Sequence, residues 1–208
     1  MAPSQTWPPE SDVDLEVWLR NFFQTGEIAP LFIEVRMHHD TTEVVLSALY
    51  DPELCARVSV LMPRLLQEWK PTDGWEICHR MSTTAGYAPN PENVATLIAM
   101  YDEEQDEVRK LYLLCVLAGY YKCPETHSIF RAQLHHLPFA TGAMRALCHC
   151  LPEEAALNFS KFLDLRKPES GLIRSLIAGV PDAHREAFLA IAGKDPRFSA
   201  AIATMFLR

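Results

Sequence analysis

PETHSIFRAQLHHL PFATGAMRALCHCL PEEAALNFSKFLDLRK PESGLIRSLIAGV PDAHREAFLAIAGKD PRFSAAIATMFLR is the stretch from residue 124 to 208, written here broken at its prolines. Pro124, Pro138, Pro152, Pro168, Pro181 and Pro196 follow one another at intervals of 14, 14, 16, 13 and 15 residues. Each interval holds one short helix and a turn. Proline suits the first helical turn, where its missing N–H has no intrahelical partner, and its ring pushes the preceding residue out of the α region. Large apolar residues recur after each proline at core-facing spacing: Phe130 and Leu134, Met144 and Leu147, Leu157 and Phe162, Ile173 and Ile177, Phe188 and Ile191, Ile202 and Phe206. The prolines therefore phase the helices. Helices of about 10 to 12 residues are roughly 15 to 18 Å long, too short to persist alone, and must stack on their neighbours. Two of them make a period of about 28 to about 30 residues, shorter than the common helical repeats and without their signature residues. The expected fold is all-α, either a stacked, solenoid-like helical repeat or a compact multi-helix bundle.

The pattern is less regular upstream. Residues 1–10, with Pro3, Pro8 and Pro9, form an expected flexible lead, and 11–208 are expected to make one α-helical domain with an acidic half, 11–104, and a repeat half, 105–208. Ser11 is placed to cap a helix that Gly26 closes. Leu31 to Met37 alternates enough to be a short strand, and Asp40 with Glu43 fits a helix start. Asp51-Pro52 opens a helix expected to bend or break at Pro63. Thr72 to Tyr87 makes another helix, and Asn90-Pro91 opens the next. Val108 to Tyr121 is apolar nearly all round, which predicts a central helix buried on several sides.

The chain has 208 residues and a formal charge of −8. Residues 1–104 hold 17 Asp and Glu against 6 Lys and Arg, whereas 105–208 hold 10 against 13. An acidic half repels phosphate backbones and releases no counterions, so nucleic acid is a disfavoured partner and a protein with a basic patch a favoured one. The longest apolar run, Leu111 to Gly119, is about half a membrane span. The N-terminus has neither the basic nor the apolar region of a secretory signal, so the expected location is the cytoplasm or another reducing space. Six cysteines in apolar periodic segments fit free buried thiols.

For chemistry, the glycine loops that cradle phosphates, the GxSxG elbow and the HExxH zinc motif do not occur. Cys123, His127, Cys148 and Cys150 are weak candidates for zinc, since soft ligands suit it, but Cys148 and Cys150 on one helix diverge by some 200°. The acidic run Asp102, Glu103, Glu104, Asp106 and Glu107 spaces carboxylates at i, i+3 and i+4. Over about four residues it resembles the spacing by which all-helical metal-dependent pyrophosphohydrolases gather magnesium. No second such pair completes it. Trp7 and Trp75 are candidate surface anchors, while Trp18 and Trp69 fit core faces. The functional expectation is a non-catalytic adaptor or scaffold, without a cofactor, that binds a partner protein through these residues and is able to self-associate through its charge asymmetry. The alternative is a small all-α metal-dependent hydrolase or zinc-binding protein.

Overall fold

The computed structural model describes residues 9–27, 51–166 and 169–205. Trp7, the 31–37 segment, the Asp40 helix start, Pro168 and Phe206 lie outside them. The described residues are all-α, with eleven α-helices and no strand. The chain divides into two compact units, Met1–Asp102 and Glu103–Arg208.

In the N-terminal unit, α1 (Asp12–Thr25) starts at Ser11, whose hydroxyl accepts from the Asp14 amide. It ends at Gly26, whose φ of 72° suits the only residue without a Cβ penalty there. Helix α2 (Pro52–Gln67) is capped by Asp51, α3 spans Trp75–Tyr87, and α4 spans Val94–Glu103 after a 3-10 turn at Pro91–Asn93. Helices α1, α2 and α3 pack mutually around Leu15, Phe22, Val58, Met62 and Leu65.

Of the bend or break expected at Pro63, the break does not occur, since α2 is helical through it. Proline at this position leaves the Ser59 carbonyl without its intrahelical donor. The Asn90 side-chain amide donates to that carbonyl at 3.0 Å, so a residue far along the chain replaces the missing N–H. Between α1 and α2, ion pairs join Asp12 to Arg57, Glu16 to Arg64 and Arg20 to Glu68. Both numbers rise together, so the two helices run in the same direction.

The C-terminal unit contains α5 (Glu107–Leu117), α6 (Pro124–Gln133), α7 (Ala140–Cys150), α8 (Pro152–Leu165), α9 (Ser170–Ala178), α10 (Asp182–Ala192) and α11 (Pro196–Met205). Pro124, Pro152 and Pro196 occupy first helical positions, and Pro181 immediately precedes α10. Packing joins every second helix. One row is α5, α7, α9 and α11. In the other, α8 packs on α10, and Arg131 of α6 grips Glu154 of α8 through two hydrogen bonds of 2.7 and 3.0 Å. Arg131 and Glu154 are 23 residues apart, but two other contacts along the rows fall one repeat apart. A Cβ on Gly142 of α7 would lie 3.7 Å from Leu114 of α5, and the rings of Phe159 in α8 and Phe188 in α10 meet edge-on at 5.7 Å. These two contacts match the period read from the prolines, within an all-α arrangement that a helical repeat and a multi-helix bundle both accommodate. Its core centres on Phe159, ringed edge-on by Phe162, Phe188 and Phe198.

Two expectations fail here. Leu157 is 69% exposed, because one residue is about 100° of helix and the buried face of α8 is set by Ala155, Ala156, Phe159, Phe162 and Leu163. Helix α5 is not buried all round: Val108 is 77% exposed and Cys115 is exposed. It opens its row and packs on one row neighbour, whereas α7 has α5 on one side and α9 on the other and is the central helix of the unit.

Candidate functional site

The acidic run does not form the helical array its spacing allows. Asp102 and Glu103 end α4, Gln105 lies between the helices, and Glu107 begins α5. A carboxylate oxygen of Glu104 accepts from the amides of Gln105 and Asp106, at 2.8 and 2.9 Å. Asp106 caps α5 by accepting from the amides of Val108 and Arg109, both at 3.0 Å. The i, i+3 geometry imagined for magnesium is interrupted, because capping carboxylates mark helix ends rather than align along helices. What the run offers is fixed negative charge: Asp102, Glu103, Asp106 and Glu107 are exposed.

The Cys/His candidates are likewise dispersed. Helix α7 continues through Cys150, so Cys148 faces the core, fully buried, while Cys150 diverges from it. The His127 Nε2 donates to the Tyr121 carbonyl oxygen at 2.8 Å, and half-buried Cys123 precedes α6. Among the described residues no group of three or more His, Cys, Asp or Glu side chains is placed to share a metal ion. All six cysteines are free. Burial pushes the Cys148 thiol up to about 12 and the Cys150 thiol up to about 11, and also raises Cys55, Cys115 and Cys123. Such thiols are protonated at neutral pH and poor nucleophiles. Trp75 opens α3 half-buried, its indole edge-on to His79 at 6.0 Å.

A different cluster emerges on the α5–α7–α9 row. The Tyr121 and His149 rings, one repeat apart, stack at 4.9 Å. On its other side His149 abuts Gly179, a further repeat along, where a Cβ would come within 2.9 Å of the imidazole Nε2. Any side chain there would force the imidazole to shift. Burial, and secondarily the charge of Arg145, holds the imidazole below its ordinary pKa, so it is neutral at pH 7. Arg145 acts electrostatically on Cys115 as well, partly offsetting the rise that burial causes. Lys122 lies 5.9 Å from the Tyr121 ring centroid. None of these residues belongs to a motif. Their signal is spacing: Cys115 with Arg145, Tyr121 with His149 and His149 with Gly179 are each one proline-defined period apart.

A concavity of about 450 Å³ lies where α7 turns into α8 and is lined by Cys150, Pro152, Glu154, Leu157 and His184 among others.

The class that this fold and site define is an all-α protein with a stacked-helix unit. Compared with known protein families, curated proteins and solved structures, the chain matches none. No helix among the described residues is long and apolar enough to cross a membrane.

Proposed function

We propose that this chain is a non-catalytic interaction scaffold that binds a partner protein bearing a basic patch through the acidic edge formed by Glu103, Glu104, Asp106 and Glu107, with Asp102 beside them in sequence. The observation that carries the reading is the row-wise packing of α5 to α11. Helices contact the helix two places along, in several cases about one proline-defined period away, an arrangement that in helical repeats yields an extended surface rather than an enclosed site. The acidic edge adds a means of recognition. Glu104 and Asp106 are tied down by backbone amides, so this part of the charge is presented with little side-chain entropy left to lose on binding. Exposed charges of this kind steer encounter and confer salt-sensitive association.

The test is affinity capture of the tagged chain from its native lysate at low and high salt, with metal assayed on the same sample and the Glu103→Lys/Glu107→Lys double variant alongside. A stoichiometric partner lost at high salt and lost with the variant is the expected result. A partner held equally by both proteins overturns the acidic edge, and a solitary chain carrying stoichiometric metal overturns the scaffold reading.

A further inference from the structure

In the C-terminal unit the two rows differ in charge. Helices α5, α7, α9 and α11 carry five Lys and Arg against one Asp or Glu, and α6, α8 and α10 carry three against six. They differ more in how arginine is used. Arg131 and Arg185 of the second row hold Glu154 and Asp182 within that row, and Arg197 holds Asp164 and Asp195. Arg145 of α7 and Arg174 of α9 are exposed and form no ion pair among the described residues. Even in a chain with 27 acidic residues, no described carboxylate reaches these two cations.

Their surroundings suit a ligand. The Tyr121–His149 stack is half-buried, and exposed Val108 and Cys115 extend apolar surface along α5. An ion pair closed against such a floor is shielded from water and is worth more than one on an open surface. Helices α7 and α9 are packed neighbours, and packed helix axes lie about 8 to 10 Å apart. An extended chain of polyproline II form advances about 3.1 Å per residue and returns to the same face every three residues, so its carboxylates match two stacked helices when three residues apart.

We infer that the α5–α7–α9 face docks an extended acidic peptide segment of a partner protein, with carboxylates three residues apart on Arg145 and Arg174 and an apolar side chain over Val108 and Cys115. This rests on the scaffold reading above and adds a second face of opposite charge. Single-stranded nucleic acid is the poorer fit, because a phosphate backbone needs many more cations than two.

Of the six cysteines only Cys115 is exposed, so alkylation of its thiol reports whether the face is covered. The probe is a short fluorescent peptide with aspartate at every third position and one leucine, titrated against the full chain by anisotropy at low salt. Binding should be saturable, should slow alkylation of Cys115, and should weaken by about tenfold or more in Arg145→Glu/Arg174→Glu. Lys161→Glu, an exposed cation on the other row, should leave the affinity unchanged, and circular dichroism should show all variants folded. Absence of saturable binding, equal binding by the double variant, or Arg-dependent protection of Cys115 by single-stranded RNA in place of the peptide overturns the inference. Glu103→Lys/Glu107→Lys, which should lose the basic partner, should still bind the peptide at least as tightly as wild type, so either proposal can fail alone.

Discussion

The N-terminal unit and the C-terminal unit are both helical, yet they are held by different kinds of information. In the C-terminal unit one device recurs: a proline-phased helix presents its apolar face to the helices one and two places along. In the N-terminal unit the arrangement depends on single, unrepeated contacts. Asn90 reaches Ser59 to make good the hydrogen bond that Pro63 removes, Arg80 donates to the Phe23 carbonyl oxygen at the end of α1, and charged residues run as a ladder between α1 and α2. Repetition distributes stability over many equivalent contacts, whereas singular contacts concentrate it in a few positions.

That comparison can be broken most severely at Phe159. It is fully buried and touches the Phe162, Phe188 and Phe198 rings, so Phe159→Ala should cost about 3–5 kcal/mol. All four tryptophans, Trp7, Trp18, Trp69 and Trp75, belong to the N-terminal unit, so their fluorescence follows that unit alone. In urea, the circular dichroism transition of the variant should move to lower denaturant while the tryptophan transition stays in place. Coincident shifts would show one cooperative block.

The next largest effect belongs to Asn90. Asn90→Ala strands the Ser59 carbonyl and removes the side-chain acceptor for the Glu92 amide, at a cost of about 1–3 kcal/mol in the tryptophan-detected transition. In a Pro63→Ala background the helix supplies its own N–H, so the same change should cost less. A double-mutant cycle without coupling would refute the replacement.

A smaller effect separates the units by pH. Because burial and Arg145 depress the His149 pKa in the folded state, the unfolded chain binds the proton more readily. The contribution of the neutral imidazole is complete above the unfolded value of about 6.5 and is lost as pH falls through the folded one. Melting of the C-terminal unit should therefore decline as pH falls below neutral, and His149→Phe, which keeps a ring against Tyr121, should flatten that slope. An identical slope would exclude His149 as its source.

The smallest effect is expected in the ladder. Arg64 is more than half exposed in its pair with Glu16, and Arg64→Ala should cost no more than about 1 kcal/mol, with little further loss in high salt. A larger loss by urea titration would mean that the ladder acts as a network.

Much of the C-terminal unit was legible because its signal is repeated: Pro124, Pro152 and Pro196 start helices where backbone chemistry says they must, and Phe130, Met144, Leu147, Ile173 and Phe188 are buried as their spacing requires. Leu157 shows where that reading stops, since the side that a helix buries is chosen by its neighbours and shifting by one residue turns a side chain through about 100°. The acidic run shows the same for charge, because its carboxylates were spaced for a helix but two of them are taken up by backbone amides at the turn into α5.

Local chemistry, then, was the sequence's own contribution: all-α character, helix starts at Ser11, Asp51 and the prolines, and a repeat made of two proline-phased helices. These depend on φ restriction, capping and apolar periodicity, which act within a few residues of chain. Tertiary structure alone decided which residues one period apart meet, why α2 survives Pro63, and which arginines find a carboxylate. Each of those is a contact between residues far apart in sequence, whose energy depends on packing geometry that no local pattern encodes.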